Sequence, residues 1–200
     1  AGKTVLAEII AGRREPIAGE VVHHSDGVGY FSFEEQEKVL ARERRMDTTW
    51  FGDGKTDFGS TGAELIGFLG TAGSGEKQTE MEEYLDILKL KDVLDRGCKQ
   101  YSTGEFRKVL ICRELFHKPK LLIADEPYDG LDRESRSHLK EIFSHVKEKG
   151  IALLLFFSRE EEVPEYTDEV KYLYSGSLHS KLSPRNAIEN AHRHLHVKNQ

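Results

Sequence analysis

Tyr101 to Asp132 reads YSTGEFRKVLICRELFHKPKLLIADEPYDGLD, and this stretch decides the fold. At its centre Leu121-Leu122-Ile123-Ala124 runs directly into Asp125-Glu126. A continuous apolar run is the pattern of a parallel strand covered on both faces, so a buried strand is expected here. Open α/β sheets bind ligands beyond the carboxyl ends of their strands, which is where the two acids fall. Adjacent carboxylates suit metal-assisted hydrolysis, one serving a magnesium shell and the other polarising a water. Taken alone, the dipeptide reads equally well as a solvated strand end.

The context upstream adds a second element. Gly104 stands 21 residues before Asp125, within Ser102-Thr103-Gly104-Glu105. From Phe106 to Phe116 the apolar residues Phe106, Val109, Leu110, Leu115 and Phe116 recur at helical spacing, with Arg and Lys between them. Ser102 is placed as the N-cap and Glu105, three positions on, completes a capping box. The free N–H groups and dipole at such a helix start also favour a phosphate. Capping by itself explains Ser102 and Glu105 without a ligand, but not why the unit leads through His117-Lys118-Pro119 into an acid-tipped strand.

On these residues the chain resembles the nucleotide-binding domain of ABC ATPases. Tyr101 to Glu105 resembles the family's LSGGQ signature, Leu121 to Glu126 its Walker B strand, and Asp129-Gly130-Leu131-Asp132 its D-loop. STGEFRK together with DEPYDGLD resembles the ModF group, ABC proteins with two such domains that are associated by name with molybdate transport. The resemblance implies an α/β P-loop NTPase fold of ABC type, a mainly parallel sheet flanked by helices. It implies one domain over residues 1–200, with an inserted helical subdomain at about 48–118 that carries the signature.

Length and composition agree with such a domain. Two hundred residues is a single-domain length, 38% hydrophobic residues can build a core, and 32% charged residues cover a surface. A net charge of -6 argues against a general nucleic-acid binder, which needs a basic stripe. The longest apolar run, Ile151 to Phe157, is far too short to span a membrane. Two cysteines, Cys98 and Cys112, without a secretory signal, point to a reduced cytoplasmic setting.

Gly2, Lys3 and Thr4 match the last fixed residues of the phosphate loop GxxxxGK[ST], followed by an apolar helical stretch, Val5 to Ala11, that Gly12 ends. By resemblance Lys3 is the phosphate lysine and Thr4 the magnesium hydroxyl. The earlier loop glycines, the preceding strand and the adenine-stacking aromatic are expected upstream of Gly2, so the chain reads as truncated within Walker A. Val28 to Phe33 reads as a short strand and Glu34 to Arg45 as a polar helix, with residues 37–47 as a solvated charged face. Gln36 is the candidate for the family's glutamine that touches magnesium and the attacking water. A solvated helix residue is the other reading, and the sequence leaves both open.

Eight glycines between Thr48 and Gly75 break up any long element, and Gly52 to Thr56 reads as a turn rather than a second phosphate loop. Trp50 and Phe51 stand where relatives meet a membrane partner, or simply pack locally. Thr79 to Leu94 restores helical spacing, with Met81, Tyr84, Leu85, Leu88 and Leu90 on one face. Arg133 to Lys149 is an amphipathic helix closed by Gly150 at C′, and Ile151 to Phe157 the next buried strand. In the family that strand ends at a switch histidine; here Ser158 takes the position, followed by Arg159. A serine donates one hydrogen bond without positive character, so slow hydrolysis is expected. Val170 to Tyr174 and Ser177 to Lys181 read as antiparallel strands, and Ser183-Pro184 as the start of a last helix. His192, His194 and His196 do not share a helical face, so no metal site is expected there.

In the implied mechanism two domains pair head to tail. ATP lies between Gly2, Lys3 and Thr4 of one and Ser102, Thr103 and Gly104 of the other. Asp125, with Thr4 and Gln36, serves Mg2+; Glu126 activates water and Asp132 links the two sites. Three outputs stay open: a subunit energising a membrane importer for molybdate or another oxyanion, a soluble ABC ATPase, or an ATP-gated interaction module.

Overall fold

The computed structural model describes residues 2–22, 27–46, 56–67 and 76–180. Trp50, Phe51, Gly52 to Lys55, Lys181, Ser183-Pro184 and the three histidines near the C-terminus lie outside the described residues. In chain order the elements are α1 (Lys3–Ile10), β1 (Val28–Ser32), α2 (Phe33–Arg45), α3 (Gly62–Ile66) and α4 (Glu76–Ile87). They continue with α5 (Thr103–Phe116), β2 (Leu121–Asp125), α6 (Arg133–Glu148), β3 (Ala152–Phe156), β4 (Lys171–Tyr174) and β5 (Ser177–Ser180).

The first three strands form one parallel sheet in the order β1-β2-β3, with the register Ser32, Asp125 and Phe156 across its carboxyl end. Successive side chains of β2 alternate between two cores, as a strand's period of two requires. Ile123 joins Tyr30, Phe156 and Ala7 under α1. Leu122 and Ala124 face the larger core, shared with residues of α4, α5 and α6. The apolar run thus reflects burial on both faces. β4 and β5 form a separate antiparallel pair closed by Ser175 and Gly176, both at positive φ (47° and 79°), the geometry of a tight two-residue hairpin turn.

Local chemistry accounts for the boundaries. Gly150 at φ 84° donates to Lys147 O at 2.9 Å, and Ile151 N donates to Val146 O at 3.0 Å, closing α6 as a Schellman motif. The same device ends α4 where a longer helix was expected. Lys89, at φ 53°, donates to Asp86 O, and Leu90 N to Leu85 O at 2.9 Å. The chain then makes a short 3-10 turn, Lys91–Val93, instead of continuing to Leu94. Leu88 and Leu90 are still fully buried, because the C″ residue of this cap packs back onto the helix.

One expectation about polar residues fails. Glu43 sits inside the charged run read as solvated, yet it is buried and accepts from Ser60 N at 2.8 Å and Ser60 Oγ at 3.2 Å. Helix α5 is buried nearly all round, Arg107 and Lys108 included, because it lies between the sheet, α3 and α6. Both cysteines are core residues: burial pushes the Cys112 thiol up to about 12, and burial with Glu43 beside it pushes Cys98 up to about 11. Since the thiolate is the reactive form, neither should react with an aromatic disulfide at pH 8 until the chain opens. The expected result is no labelling of the native protein within minutes and two thiols in denaturant; a fast native thiol would contradict the burial of this core.

Candidate nucleotide site

The carboxyl end of β2 carries the first group of candidate residues. Asp125 ends the strand and is 4% exposed. The next residue, Glu126, turns into the left-handed region at φ 49° while its N–H still donates to Phe156 O at 3.0 Å. That turn carries its carboxylate to two partners. Ser158 N donates to Oε2 at 3.0 Å and the Ser158 hydroxyl donates to Oε1. Lys3 Nζ lies 3.5 Å from Oε1, with both side chains about a quarter exposed. The pair is therefore solvent-screened and easily opened.

Thr4 follows Lys3 in the first turn of α1 and stands beside Asp125. Burial pushes the Asp125 carboxyl above its ordinary range, opposed by the Thr4 hydroxyl and by Lys3. Gly2 sits at φ 103° as the N-cap of α1 and supplies no side-chain cap, so the first N–H groups of that helix stay available to an anion. A non-glycine residue would be strained at this φ.

The second group is built on α5 and α6. Ser102 Oγ accepts from Glu105 N at 3.1 Å, and Glu105 Oε2 accepts from Ser102 N at 2.8 Å, so the capping box is complete. Glu105 is braced by Arg96 at 2.9 Å, and Tyr101 Oη is within hydrogen-bond reach of the Val93 and Arg96 carbonyls. Ser102 and Thr103 are exposed, whereas Gly104 is buried. The reason for glycine is steric: a Cβ there would lie 2.5 Å from Ser135 Oγ. Ser135 belongs to the cap of α6, where Asp132 Oδ1 accepts from its N–H and Oδ2 from its hydroxyl, each at 2.8 Å. These bonds hold the exposed Asp132 carboxyl below its usual range. The turn that opens α5 and the cap of α6 are thus in contact within one chain.

Gln36 corrects one of its two readings. It is 1% exposed rather than solvated, and its Oε1 accepts from Arg107 Nε at 3.2 Å. Arg107, which the sequence reading passed over, is fully buried; it also donates through Nη1 to the carbonyls of Pro127 and Asp129. Arg159 is taken up by Glu162 at 3.0 Å, a buried carboxylate that also meets Arg136 at 3.2 Å.

The profile of the ABC transporter family matches residues 1–129, a span that holds α1, the parallel strands β1 and β2 and all of α5. The chain belongs to the ABC transporter family. It is 36% identical over 172 residues to the ABC transporter ATP-binding protein ModF of Escherichia coli K12, covering 82% of this chain and 33% of that protein. It is 27% identical over 198 residues to the sulfate/thiosulfate import ATP-binding protein CysA of Pseudomonas aeruginosa, covering 94% of this chain and 57% of that one. The ABC chain described here thus spans between a third and somewhat over half of these relatives. Among solved structures, an inward-facing metal-chelate type ABC transporter aligns at TM-score 0.67 and 17% identity, over 96% of this chain and 74% of that one. A dimeric post-hydrolysis ATP-binding cassette bound to ADP and Pi aligns at 0.63 and 19%, over 90% and 80%. At these identities the structural matches bear on fold alone, and they agree with the ABC-type P-loop architecture.

Proposed function

We propose that this domain binds and hydrolyses ATP, paired head to tail with a second ABC domain. The observation that carries the reading is the convergence of Lys3, Thr4, Asp125, Glu126 and Ser158 at one sheet end. A phosphate lysine, a helix N-terminus and two acids meet there. Lys3 and the open N-terminus of α1 hold the terminal phosphates. Glu126, fixed by Ser158, accepts the proton of the attacking water. Ser102, Thr103 and Gly104 face the partner's nucleotide, and Asp132 lies against that signature turn.

Mg2+ fits the first group. Asp125 Oδ1 is buried without a hydrogen-bond partner, the kind of hard oxygen donor that such a cation takes. Thr4 and Asp125 would hold it, and when bound it neutralises charge on the phosphates. Gln36 is tied through its amide oxygen to Arg107, and that oxygen keeps a second lone pair. The chain's own contribution is otherwise positioning and electrostatics.

For the driven process we favour transport of molybdate or another oxyanion through a membrane permease, with the domain cytoplasmic and peripheral to the membrane. The likeness to ModF and to the import protein CysA supports this. Among the described residues no helix is long and apolar enough to cross a membrane, so the permease would be a separate partner or segment. An ATP-gated interaction module is the second reading, favoured by Ser158 at the switch position, since it holds Glu126 but brings no charge.

The test is ATP turnover of the full protein, beside Ser158→His. Slow wild-type turnover is expected. Ser158→His should raise it by about tenfold or more, since a donor aimed at developing charge contributes on the order of 10²–10³. No turnover in either protein, with pairing on ATP in both, would establish the interaction module instead.

A further inference from the structure

We propose that Arg107 is a positioning residue that couples the two halves of the nucleotide site; this rests on the ATPase reading above. Arg107 is the fifth residue of α5, just over one turn in, and moves with the signature turn at that helix start. Its guanidinium reaches two other elements. Nε donates to Gln36 Oε1 on α2, 71 residues away, at 3.2 Å. Nη1 donates to Pro127 O at 3.3 Å and also to Asp129 O. Those carbonyls belong to the turn that leaves Glu126 and arrives at Asp132.

One planar group therefore joins the signature helix, the Gln36 helix and the turn behind the base. In a head-to-tail pair the signature serves one nucleotide while Gln36, Asp125 and Glu126 serve the other. A shift of the signature on its ATP is thus delivered, through rigid donors, to the residues acting on the second ATP. The bracket has little freedom of its own. Its carbon lies 5.8 Å from the ring centre of Phe31 and 5.9 Å from that of Phe33, and the side chain is wholly buried. Packing alone does not account for it, because burying a guanidinium whose Nη2 has no partner among the described residues costs more than an apolar side chain of like volume.

The test is Arg107→Lys in the full protein, with Gln36→Leu and the double variant. Lysine keeps the charge but is a point donor that cannot bridge all three oxygens. ATP affinity of the unpaired protein should stay within about twofold, while kcat falls roughly tenfold and the Hill coefficient drops toward one. The double variant should be no worse than Gln36→Leu alone, because that change already breaks the bracket as well as removing the amide from the nucleotide's shell. The proposal is overturned if folded Arg107→Lys keeps the wild-type kcat and Hill coefficient, or if the two losses multiply. Should Arg107→Lys not fold, hydrogen exchange on the wild type carries the test. Binding of a non-hydrolysable ATP analogue must change protection at residues 34–38 and 127–131 together, and a change at one segment alone overturns the proposal. A wild type that neither hydrolyses ATP nor pairs on it overturns the ATPase reading itself, and is distinct from every outcome above.

Discussion

Glu126→Gln is expected to lower ATP turnover by about 10²–10⁴, the contribution typical of a positioned general base, while leaving ATP-driven pairing intact. The replacement is nearly isosteric and keeps the same side-chain branching at φ 49°, so the turn after β2 has no new reason to move. An amide oxygen can still accept from Ser158 N, which donates to the carboxylate at 3.0 Å in the present arrangement. Two things do change. The amide cannot take a proton from water, and Lys3 loses the carboxylate that lies 3.5 Å away. A lysine released from that partner is free for phosphate. Nucleotide affinity should therefore hold or rise while chemistry stops, and ATP-bound pairs should accumulate and persist. Single-turnover hydrolysis and size-exclusion chromatography on ATP measure the two effects separately. Turnover within a factor of ten of wild type would remove Glu126 from the role of base and direct attention to another acceptor.

How far the sequence foretold this arrangement depends on the range of each interaction. The β2 strand, the Ser102–Glu105 capping box, the Gly12 and Gly150 helix ends and the β4–β5 pair were all legible, because each is written in residues a few positions apart. Lys89 was not, since a lysine in the left-handed region leaves none of the signal a C′ glycine would. Glu43 was hidden in a charged run because its partner, Ser60, lies 17 residues on across a stretch of glycines. Arg107 was the least legible. Its partners are Gln36, far away in sequence, and two backbone carbonyls, and a carbonyl carries no residue identity to read. Between Phe106 and Val109 an arginine looks like the polar side of an amphipathic helix until the neighbouring helices are in place. For the candidate site the same rule holds. Lys3, Thr4, Asp125, Glu126 and Ser158 could be named from motif wording, but the hydrogen bonds of Ser158 to Glu126 depend on the register of β2 with β3.

Gly104→Ala is the substitution where local and tertiary preference pull apart. Gly104 lies in the first turn of α5 without a positive φ, so alanine should favour the helix by up to about 1 kcal/mol there. The tertiary contact opposes it. The new Cβ would stand 2.5 Å from Ser135 Oγ, 3.2 Å from Ser135 Cβ and 3.7 Å from Asp132 Oδ2. Rotating the hydroxyl away removes its 2.8 Å bond to Asp132 and leaves the Cβ–Cβ contact tight, since Ser135 is fixed at the start of α6 by its own N–H bond to Asp132. The starts of α5 and α6 must separate, and with them Ser102, Thr103 and Asp132. Misplacement of positioning groups on the scale of an ångström can cost about 10²-fold in rate, so paired turnover should fall by roughly that factor. The proposed nucleotide contacts of Gly2, Lys3 and Thr4 lie on another element, so ATP affinity should be unaffected. Adding Ser135→Gly opens the space, at the loss of one capping bond, and should return much of the pairing. Rescue by that second change would tie the defect to the contact between the signature turn and the D-loop; a Gly104→Ala protein that pairs and turns over like wild type would show that this contact does not position the signature.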